Sequence, residues 1–250
     1  MLFKNGDTLE GVLENGNGCA KLIRTNGTWY DGSFKNHKKH GYGTNTYLDG
    51  SIYRGNFENG KPHGDGILTF LNGETYTGNF ELGKMEGKGK YMYNNGDTFD
   101  GDFKNGYIEG FGVFQKGSCM YKGEWKNNLA HGLGECKHLD GSVYKGSWDK
   151  GKKIFGTLYF PNGDVYEGNF LNQGIHGRGI MKYNDYTVYE GDFVLGQKHG
   201  YGIKTMTNGN RYKGFWKFDK REGLGTIYYL CGDVVKGEFE NGKMKKIISS

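Results

Sequence analysis

Aromatic and polar residues alternate along this chain in short stretches that recur every 22 or 23 residues. In each stretch an aromatic anchor, numbered position zero here, is followed by glycine at position two and by a second aromatic residue at position four. Successive side chains of a β-strand point to opposite faces, so each stretch predicts a strand with one aromatic face and one polar face. The anchors are Tyr30, Tyr53, Tyr76, Phe99, Tyr121, Tyr144, Tyr166, Tyr189, Tyr212 and the less typical Val235.

The glycine at position two is present in all ten copies and falls on the aromatic face, between the two rings. A residue without a side chain leaves a slot there, and we expect that slot to take a ring from the neighbouring strand. Positions one and three are polar in every copy except at Phe215. One copy cannot bury its rings alone, so stability is expected to come from copies stacked on one another.

Turn-forming pairs separate the predicted strands. Asn-Gly or Asp-Gly precedes most anchors, as at Asn26 and Asp49, and predicts a type I′ turn with positive φ at both central residues. A second turn, such as Asn59-Gly60, follows the aromatic strand, and a Gly-x-Gly pair then leads into a second strand. Each copy is therefore a predicted hairpin.

The predicted fold is all-β: an elongated single-sheet meander of about ten two-stranded hairpin repeats, twisted or curled, with little or no helix. The array is assigned to residues 1–242, and residues 243–250 are set apart as a short basic and apolar tail.

The consensus Tyr-x-Gly-x-(Phe or Trp)-x-Asn-Gly-x-x-His-Gly-x-Gly resembles the MORN (membrane occupation and recognition nexus) repeat. The stretch 53–73, YRGNFENGKPHGDGILTFLNG, fits that pattern almost position for position, and the resemblance extends from about residue 5 to residue 242. The resemblance implies the family's roles: scaffolds in cilia and cytoskeletal structures, junctions between membranes, or modules attached to lipid kinases and methyltransferases.

Composition changes this interpretation little. The net charge of +5 is mildly basic, which is weak evidence for any anionic partner. The cysteines are scattered and form no CxxC pair, so neither a disulfide framework nor a zinc site is indicated; they are Cys19, Cys119, Cys136 and Cys231. The polar start and the lack of a long apolar run predict a cytoplasmic protein without signal peptide or transmembrane segment.

No catalytic, cofactor or metal site is predicted, and the chain is interpreted as a protein that is not an enzyme. The stretch 78–85 has the glycine and lysine spacing of a phosphate loop, but Met85 stands where Ser or Thr is required. Five histidines share one repeat position, where other copies carry glutamate, and we interpret them as structural residues that make loop hydrogen bonds. They are His40, His63, His131, His176 and His199.

Two surfaces are candidates for binding. If the sheet curls, its ring rows form a groove suited to an extended peptide or a helix. The groove residues are Tyr53, Phe57, Tyr76, Phe80, Phe99, Phe103, Tyr121, Trp125, Tyr144, Trp148, Tyr166 and Phe170. The loops at positions five to ten hold 16 basic and 8 acidic residues and form a predicted basic edge. Its proposed binding residues are Lys38, Lys39, Lys152, Lys153, Lys220 and Arg221.

Three functions remain open from the sequence. The first is a non-catalytic scaffold or adaptor for protein partners in a ciliary, axonemal or other cytoskeletal assembly, since many weak contacts gain by avidity. The second is a membrane-associated tether that binds anionic phospholipids through the basic edge. The third is a regulatory MORN module separated from an enzyme. Nucleic acid is not expected as a partner, and a homodimer through the terminal repeats is a further expectation.

Overall fold

The computed structural model describes residues 2–249, and no helix occurs in that range. The chain divides into two compact units, Met1–Leu129 and Ala130–Ser250. Within each unit, every strand pairs antiparallel with the strand that follows it in sequence. The prediction of an all-β hairpin meander is confirmed.

The first unit contains eleven strands, alternating between an aromatic strand and a second strand. They are β1 (Thr8–Glu14), β2 (Asn17–Ile23), β3 (Trp29–Lys35), β4 (Lys38–Thr46), β5 (Ile52–Glu58), β6 (Lys61–Thr69), β7 (Thr75–Glu81), β8 (Lys84–Met92), β9 (Thr98–Lys104), β10 (Tyr107–Lys116) and β11 (Cys119–Lys126).

The second unit follows the same plan, and its boundary falls at the first residue of β12. Its strands are β12 (Leu129–Lys137), β13 (Val143–Asp149), β14 (Lys152–Tyr159), β15 (Val165–Leu171), β16 (Gly174–Lys182), β17 (Val188–Val194), β18 (Gln197–Thr205), β19 (Arg211–Lys217), β20 (Lys220–Tyr228), β21 (Val234–Glu240) and β22 (Lys243–Ser249). Residues 243–249, which the sequence set apart as a tail, form β22 and pair with β21.

The two kinds of turn differ from the prediction. Before the anchors, φ is positive at the glycine only: Gly27 has φ 84°, and Asn26 is not left-handed. This is the three-residue loop in which a type I turn is followed by a left-handed residue, so the type I′ prediction is wrong here. Asn26 serves through its side chain, whose Oδ1 accepts a hydrogen bond from Thr28 N at 3.0 Å. The type I′ geometry occurs instead at the second turns, where Asn59 (φ 50°) and Gly60 (φ 89°) are both left-handed.

Tyr186 holds the left-handed position that glycine holds in comparable turns, with φ 67° and a side chain that is 85% exposed. A left-handed conformation costs an L-residue about 1–2 kcal/mol, and glycine avoids this cost. The greater conformational entropy of glycine in the unfolded chain offsets part of that advantage. We therefore expect Tyr186→Gly to raise the free energy of unfolding by roughly 0.5–1 kcal/mol in urea denaturation. As a control, Gly232→Ala at a left-handed site with open space around it should lower that free energy, and an unchanged midpoint in both variants would contradict the argument.

The core of each unit is a zigzag of aromatic rings. Within each unit, the anchor rings pack edge-on against the position-four ring of their own repeat and, where the next repeat lies in the same unit, against that of the next repeat. The ring centroid of Tyr53 lies 5.0 Å from that of Phe57 and 4.8 Å from that of Phe80, with interplanar angles of 89° and 80°. Edge-to-face pairs of this kind add about 0.5–1.5 kcal/mol beyond the area they bury. The second unit repeats the arrangement, for example where Tyr166 meets Phe170 and Phe193.

Beneath the rings, glycines form a row across the strands of each unit. Gly55 pairs with Gly43 on one side and with Gly66 on the other. The ring of Tyr53 lies over this row, and a Cβ atom built on Gly66 would be 2.3 Å from the tyrosine Oη. The same hydroxyl donates a hydrogen bond to Asn56 O at 2.9 Å. The predicted slot therefore exists. The prediction that a ring from the neighbouring strand fills it is wrong, because the ring in the slot is the anchor of the same repeat.

Candidate functional site

The rings predicted to line a groove lie in the hydrophobic cores. Eleven of the twelve are buried, and Trp125 is half-buried. Because the rings pack against one another and over the glycine row, they do not present an open groove. The surface beside them is formed by other side chains, above all by the residue at position nine.

Position nine follows the second turn and lies opposite position four, as Pro62 lies opposite Phe57. In six copies it is Pro62, Met85, Ile108, Ala130, Ile175 or Met244, and in four it is Lys39, Lys153, Lys198 or Arg221. The basic side chains lie over the rings: Lys39 Nζ is 4.9 Å from the centroid of Tyr30, and Lys153 Nζ is 4.9 Å from that of Tyr144. A long aliphatic stem can replace an apolar residue when its charged end rests on a ring face.

The predicted basic edge therefore separates into two sets. Lys38, Lys152 and Lys220 are exposed at the first residues of β4, β14 and β20, next to the turns, as an edge that meets a charged surface requires. The other three residues turn onto the aromatic face: Lys153 is only 5% exposed, and Lys39 and Arg221 are half-buried. Whether the exposed set binds a partner stays a prediction.

The buried cations have different partners. Lys198 Nζ lies 2.6 Å from Asp219 Oδ1. Burial opposes its charge, but the hydrogen bond that its ammonium donates to the Asp219 carboxylate leaves the pKa of Lys198 raised overall. Lys153 Nζ lies 3.0 Å from His138 Nε2, and burial lowers the pKa of both groups. These two cations are therefore held within the fold by a carboxylate and by an imidazole.

Among the described residues, Lys39 has neither a carboxylate nor an imidazole as its hydrogen-bond partner. Its Nζ donates to the amide oxygen of Asn45. Burial, and secondarily the nearby charge of Arg24, lower the pKa of Lys39 from 10.5 to about 8. Its amine lies at an open cleft of about 510 Å³, termed the Lys39 cleft, lined by Arg24, Asn26, Thr28, Lys39, Asn45, Thr46, Tyr47, Leu48 and Asp49.

The lowered pKa of Lys39 predicts that the contribution of this residue to stability depends on pH. The folded state disfavours the ammonium form, so the penalty is fully present below pH 8 and disappears as pH rises to the ordinary pKa of 10.5. We expect Lys39→Met to raise the melting temperature at pH 7, with a gain that shrinks towards pH 10.5. Thermal unfolding across this range, with the exposed Lys35→Met as control, measures it. A gain that does not change with pH would contradict the prediction.

A second set of aromatic side chains was missed by the sequence argument. They lie at positions fifteen and seventeen, on the second strands or directly after them, and include Tyr91, Tyr93 and Phe114, all half-exposed. The ring centroids of Tyr91 and Tyr93 are 4.7 Å apart, and Tyr91 Oη donates to Glu74 Oε2 at 2.6 Å. The signal was available, because the period-two pattern of aromatic residues continues past the Gly-x-Gly pair.

The face opposite the rings also carries exposed apolar residues. In the second unit, Tyr201 and Phe215 are paired across β18 and β19, and their ring centroids are 5.4 Å apart. Tyr201 is 45% exposed, Phe215 is 50% exposed and Leu224 on β20 is 52% exposed. We call these three residues the far-face patch. In the sequence, Phe215 stands out as the exception to the polar rule.

The histidine position makes loop contacts. His63 Nε2 lies 3.3 Å from Glu58 Oε2, and His131 Nδ1 lies 3.3 Å from Asp149 Oδ1. In another copy, glutamate at this position also binds a loop residue: Glu86 Oε2 accepts a hydrogen bond from Asn105 N at 2.8 Å. Over residues 2–249 no three His, Cys, Asp or Glu side chains gather as a metal site would require, and no helix there has the length and apolarity of a membrane span.

The fold and its surfaces define a class: a repeat protein of two-stranded hairpins with a buried aromatic core and variable outer side chains. The chain belongs to the MORN repeat family. The family model matches nine segments, residues 30–52, 53–75, 76–98, 99–118, 121–143, 144–165, 166–188, 189–211 and 212–229.

Relatives share part of the chain. Alsin from Homo sapiens is 31% identical over 137 residues, which cover 50% of this chain and 8% of Alsin. MORN repeat-containing protein 3 from Xenopus laevis is 34% identical over 80 residues, covering 29% of this chain and 34% of that protein. The chain thus spans less than a tenth of Alsin. The wild-type TCP10 domain of Danio rerio CPAP, solved with a peptide of Danio rerio STIL, aligns over 98% of this chain and 99% of that chain. Its 14% identity and TM-score of 0.49 are too low to inform function.

Proposed function

We propose that this chain is a non-catalytic scaffold or adaptor that binds protein partners in a ciliary, axonemal or other cytoskeletal assembly of the cytoplasm. The far-face patch is the observation that carries the binding part of the proposal. The cytoskeletal part rests on the resemblance to MORN proteins with such roles.

The far-face patch has the chemistry of a protein contact. The aromatic rings of the repeat pattern are used in the core, yet Tyr201 and Phe215 add a second ring pair in contact with solvent. Single exposed apolar residues are ordinary, whereas adjacent ones that include aromatic rings are typical of binding surfaces. Lys213, two residues before Phe215 on β19, keeps the polar character that position one has in the other copies, so a charged side chain stands beside the patch.

Affinity capture from a cytoskeletal extract tests the proposal when it compares matched variants. The test variant is Phe215→Ser with Leu224→Ser, and the control is Leu71→Ser, which removes another exposed leucine from a turn of the first unit. Proteins retained by the wild type and the control but lost by the test variant support the scaffold. Equal recovery by all three chains contradicts a role for the patch. Size-exclusion chromatography of the same variants shows whether the partner is a second copy of the chain.

A second candidate is a membrane tether, favoured by the exposed set Lys38, Lys152 and Lys220. Exposed charge contacts are screened by salt, so flotation with anionic vesicles should be strong at low salt and fade as salt rises. Absence of flotation at low salt argues against the tether. The third alternative, a regulatory module of an enzyme, is favoured by relatives such as Alsin, in which the matched repeats are a small part of the protein.

A further inference from the structure

The Lys39 cleft brings together two positively charged side chains that form no ion pair with a described residue. Lys39 Nζ lies over the rings of Tyr30 and Phe57, with distances of 4.9 and 5.7 Å to their centroids. Arg24 is close enough to disfavour the charge of Lys39. Among residues 2–249 no carboxylate forms an ion pair with either side chain. Two cations that are partly withdrawn from water and unpaired are an unfavourable arrangement, which an anion relieves.

The second unit shows what such a cation takes as a partner. Lys198 occupies the same repeat position as Lys39, and its Nζ binds the carboxylate of Asp219 at 2.6 Å. Asp219 stands 21 residues after Lys198, and the residue 21 after Lys39 is Gly60, which has no side chain to offer. The fold therefore supplies the oxyanion in one copy and leaves it out in the other.

Lys39 and Arg24 each retain N–H groups that could donate hydrogen bonds to a ligand in the cleft. Lys39 uses one of its three ammonium hydrogens on Asn45. The guanidinium of Arg24 donates to Thr28 Oγ1 at 3.3 Å, which uses one of its five N–H groups. Among the described residues that line the cleft, Asp49 is the one carboxylate, and its Oδ1 already accepts from Ser51 N at 2.9 Å and Ser51 Oγ at 2.6 Å.

We propose that the Lys39 cleft binds a phosphate monoester, held between the Arg24 guanidinium and the Lys39 ammonium. A monoester dianion matches the two charges, and the planar fork of arginine suits two oxygens of one phosphate. The cleft volume of about 510 Å³ leaves room for the group that carries the phosphate. The phosphate source is either a small soluble molecule or a lipid headgroup, and the site is independent of the scaffold proposal.

Titration of the full chain with phenyl phosphate tests the site. Calorimetry should give saturable binding of one ligand per chain. Lys39→Met should weaken the affinity by about tenfold or more, since hydrogen bonds to charged groups have that magnitude. Arg24→Gln should weaken it comparably. Lys35→Met removes the same charge from an exposed position at the end of β3 and should leave the affinity within about twofold, as screened surface charges do.

The position-nine variant is expected to fold, because Met85 already occupies this position in another copy. If it did not, the 13Cε resonance of Lys39 in the wild-type protein, followed during the titration, would still report the contact. Equal losses in Lys39→Met and Lys35→Met, or titrations that never saturate, overturn the proposal. So does an unshifted Lys39 resonance.

Vesicles separate the two sources. Phosphatidic acid presents a phosphate monoester, whereas phosphatidylglycerol presents a diester with one charge. Flotation with phosphatidic acid only, lost in Lys39→Met and displaced by phenyl phosphate, assigns the site to a headgroup. Binding of phenyl phosphate without flotation assigns it to a soluble ligand. Flotation that is equal for both lipids and insensitive to Lys39→Met, together with no phenyl phosphate binding, contradicts the site.

Discussion

Gly168→Ala is expected to lower the free energy of unfolding by about 3 kcal/mol or more, the upper part of the range for overpacking. The added Cβ would lie 2.5 Å from Tyr166 Oη, 2.6 Å from Arg178 O and 2.6 Å from Gly179 Cα. Two of these atoms belong to the neighbouring backbone, which cannot move aside without breaking the strand pairing. The backbone of Gly168 is not left-handed, so the cost is steric and not conformational.

The same hairpin offers a matched control. Gly174 at the start of β16 is also not left-handed, and a Cβ there would meet only Leu171 O at 3.7 Å. Gly174→Ala should be neutral or stabilise by about 0.4–1 kcal/mol through the unfolded chain. Urea denaturation of both variants measures the difference, and equal midpoints would refute the close packing of ring and glycine.

Removing an anchor ring should have the second large effect. Tyr76 is fully buried, and its centroid lies 5.1 Å from that of Phe80 and 4.8 Å from that of Phe103. We expect Tyr76→Ala to cost about 3–5 kcal/mol, because it leaves a cavity at the centre of the ring zigzag. Hydrogen exchange should show the lost protection concentrated in β7 and β8, since repeats depend on their neighbours.

Tyr76→Phe separates the ring from its hydroxyl. The hydroxyl donates to Asn79 O at 2.9 Å, and losing that bond should cost about 1 kcal/mol. Phe99 shows that an anchor without a hydroxyl is compatible with the fold, since it is fully buried at the same repeat position. A Phe variant as unstable as the Ala variant would mean that the hydroxyl, and not ring packing, dominates.

The hairpin fold could be predicted because alternation assigns aromatic residues and glycine to one face of each strand. The direction of each ring could not be read from alternation, since it depends on the side-chain torsions. The tyrosine anchor rings run along their own strands, where the hydroxyl reaches the carbonyl three residues ahead, as Tyr144 Oη reaches Ser147 O at 2.9 Å. Phe99 lies over its glycines in the same way without a hydroxyl, so the hydrogen bond adds to this ring direction but does not alone set it. The sequence did hold a clue: position four is Phe or Trp in every copy, so only position zero makes use of a hydroxyl.

The candidate sites were less predictable, because loop residues are placed by bulges that alternation does not describe. A register shift falls between Gly32 and Phe34 where β3 pairs with β4, and Lys39 thereby comes opposite Phe34 on the aromatic face. The basic edge was inferred from charge alone, which does not distinguish Lys39 from its exposed neighbour Lys38. The exchange of lysine with Met85 and Ile108 at position nine was the available sign that this side chain packs on apolar surface.

The hydrogen bond from each tyrosine hydroxyl to a carbonyl three residues ahead has a consequence for how such a gene changes over time. Donor and acceptor always lie in one repeat, as with Tyr166 and Asn169. A duplicated unit therefore contains its own tyrosine–carbonyl hydrogen bond and presents the same rings and glycines to the neighbouring units. Gain or loss of a whole unit preserves every contact type, whereas one inserted residue inside a strand turns its side chains to the opposite face. Variation in length by complete units is thus the change that this architecture tolerates best.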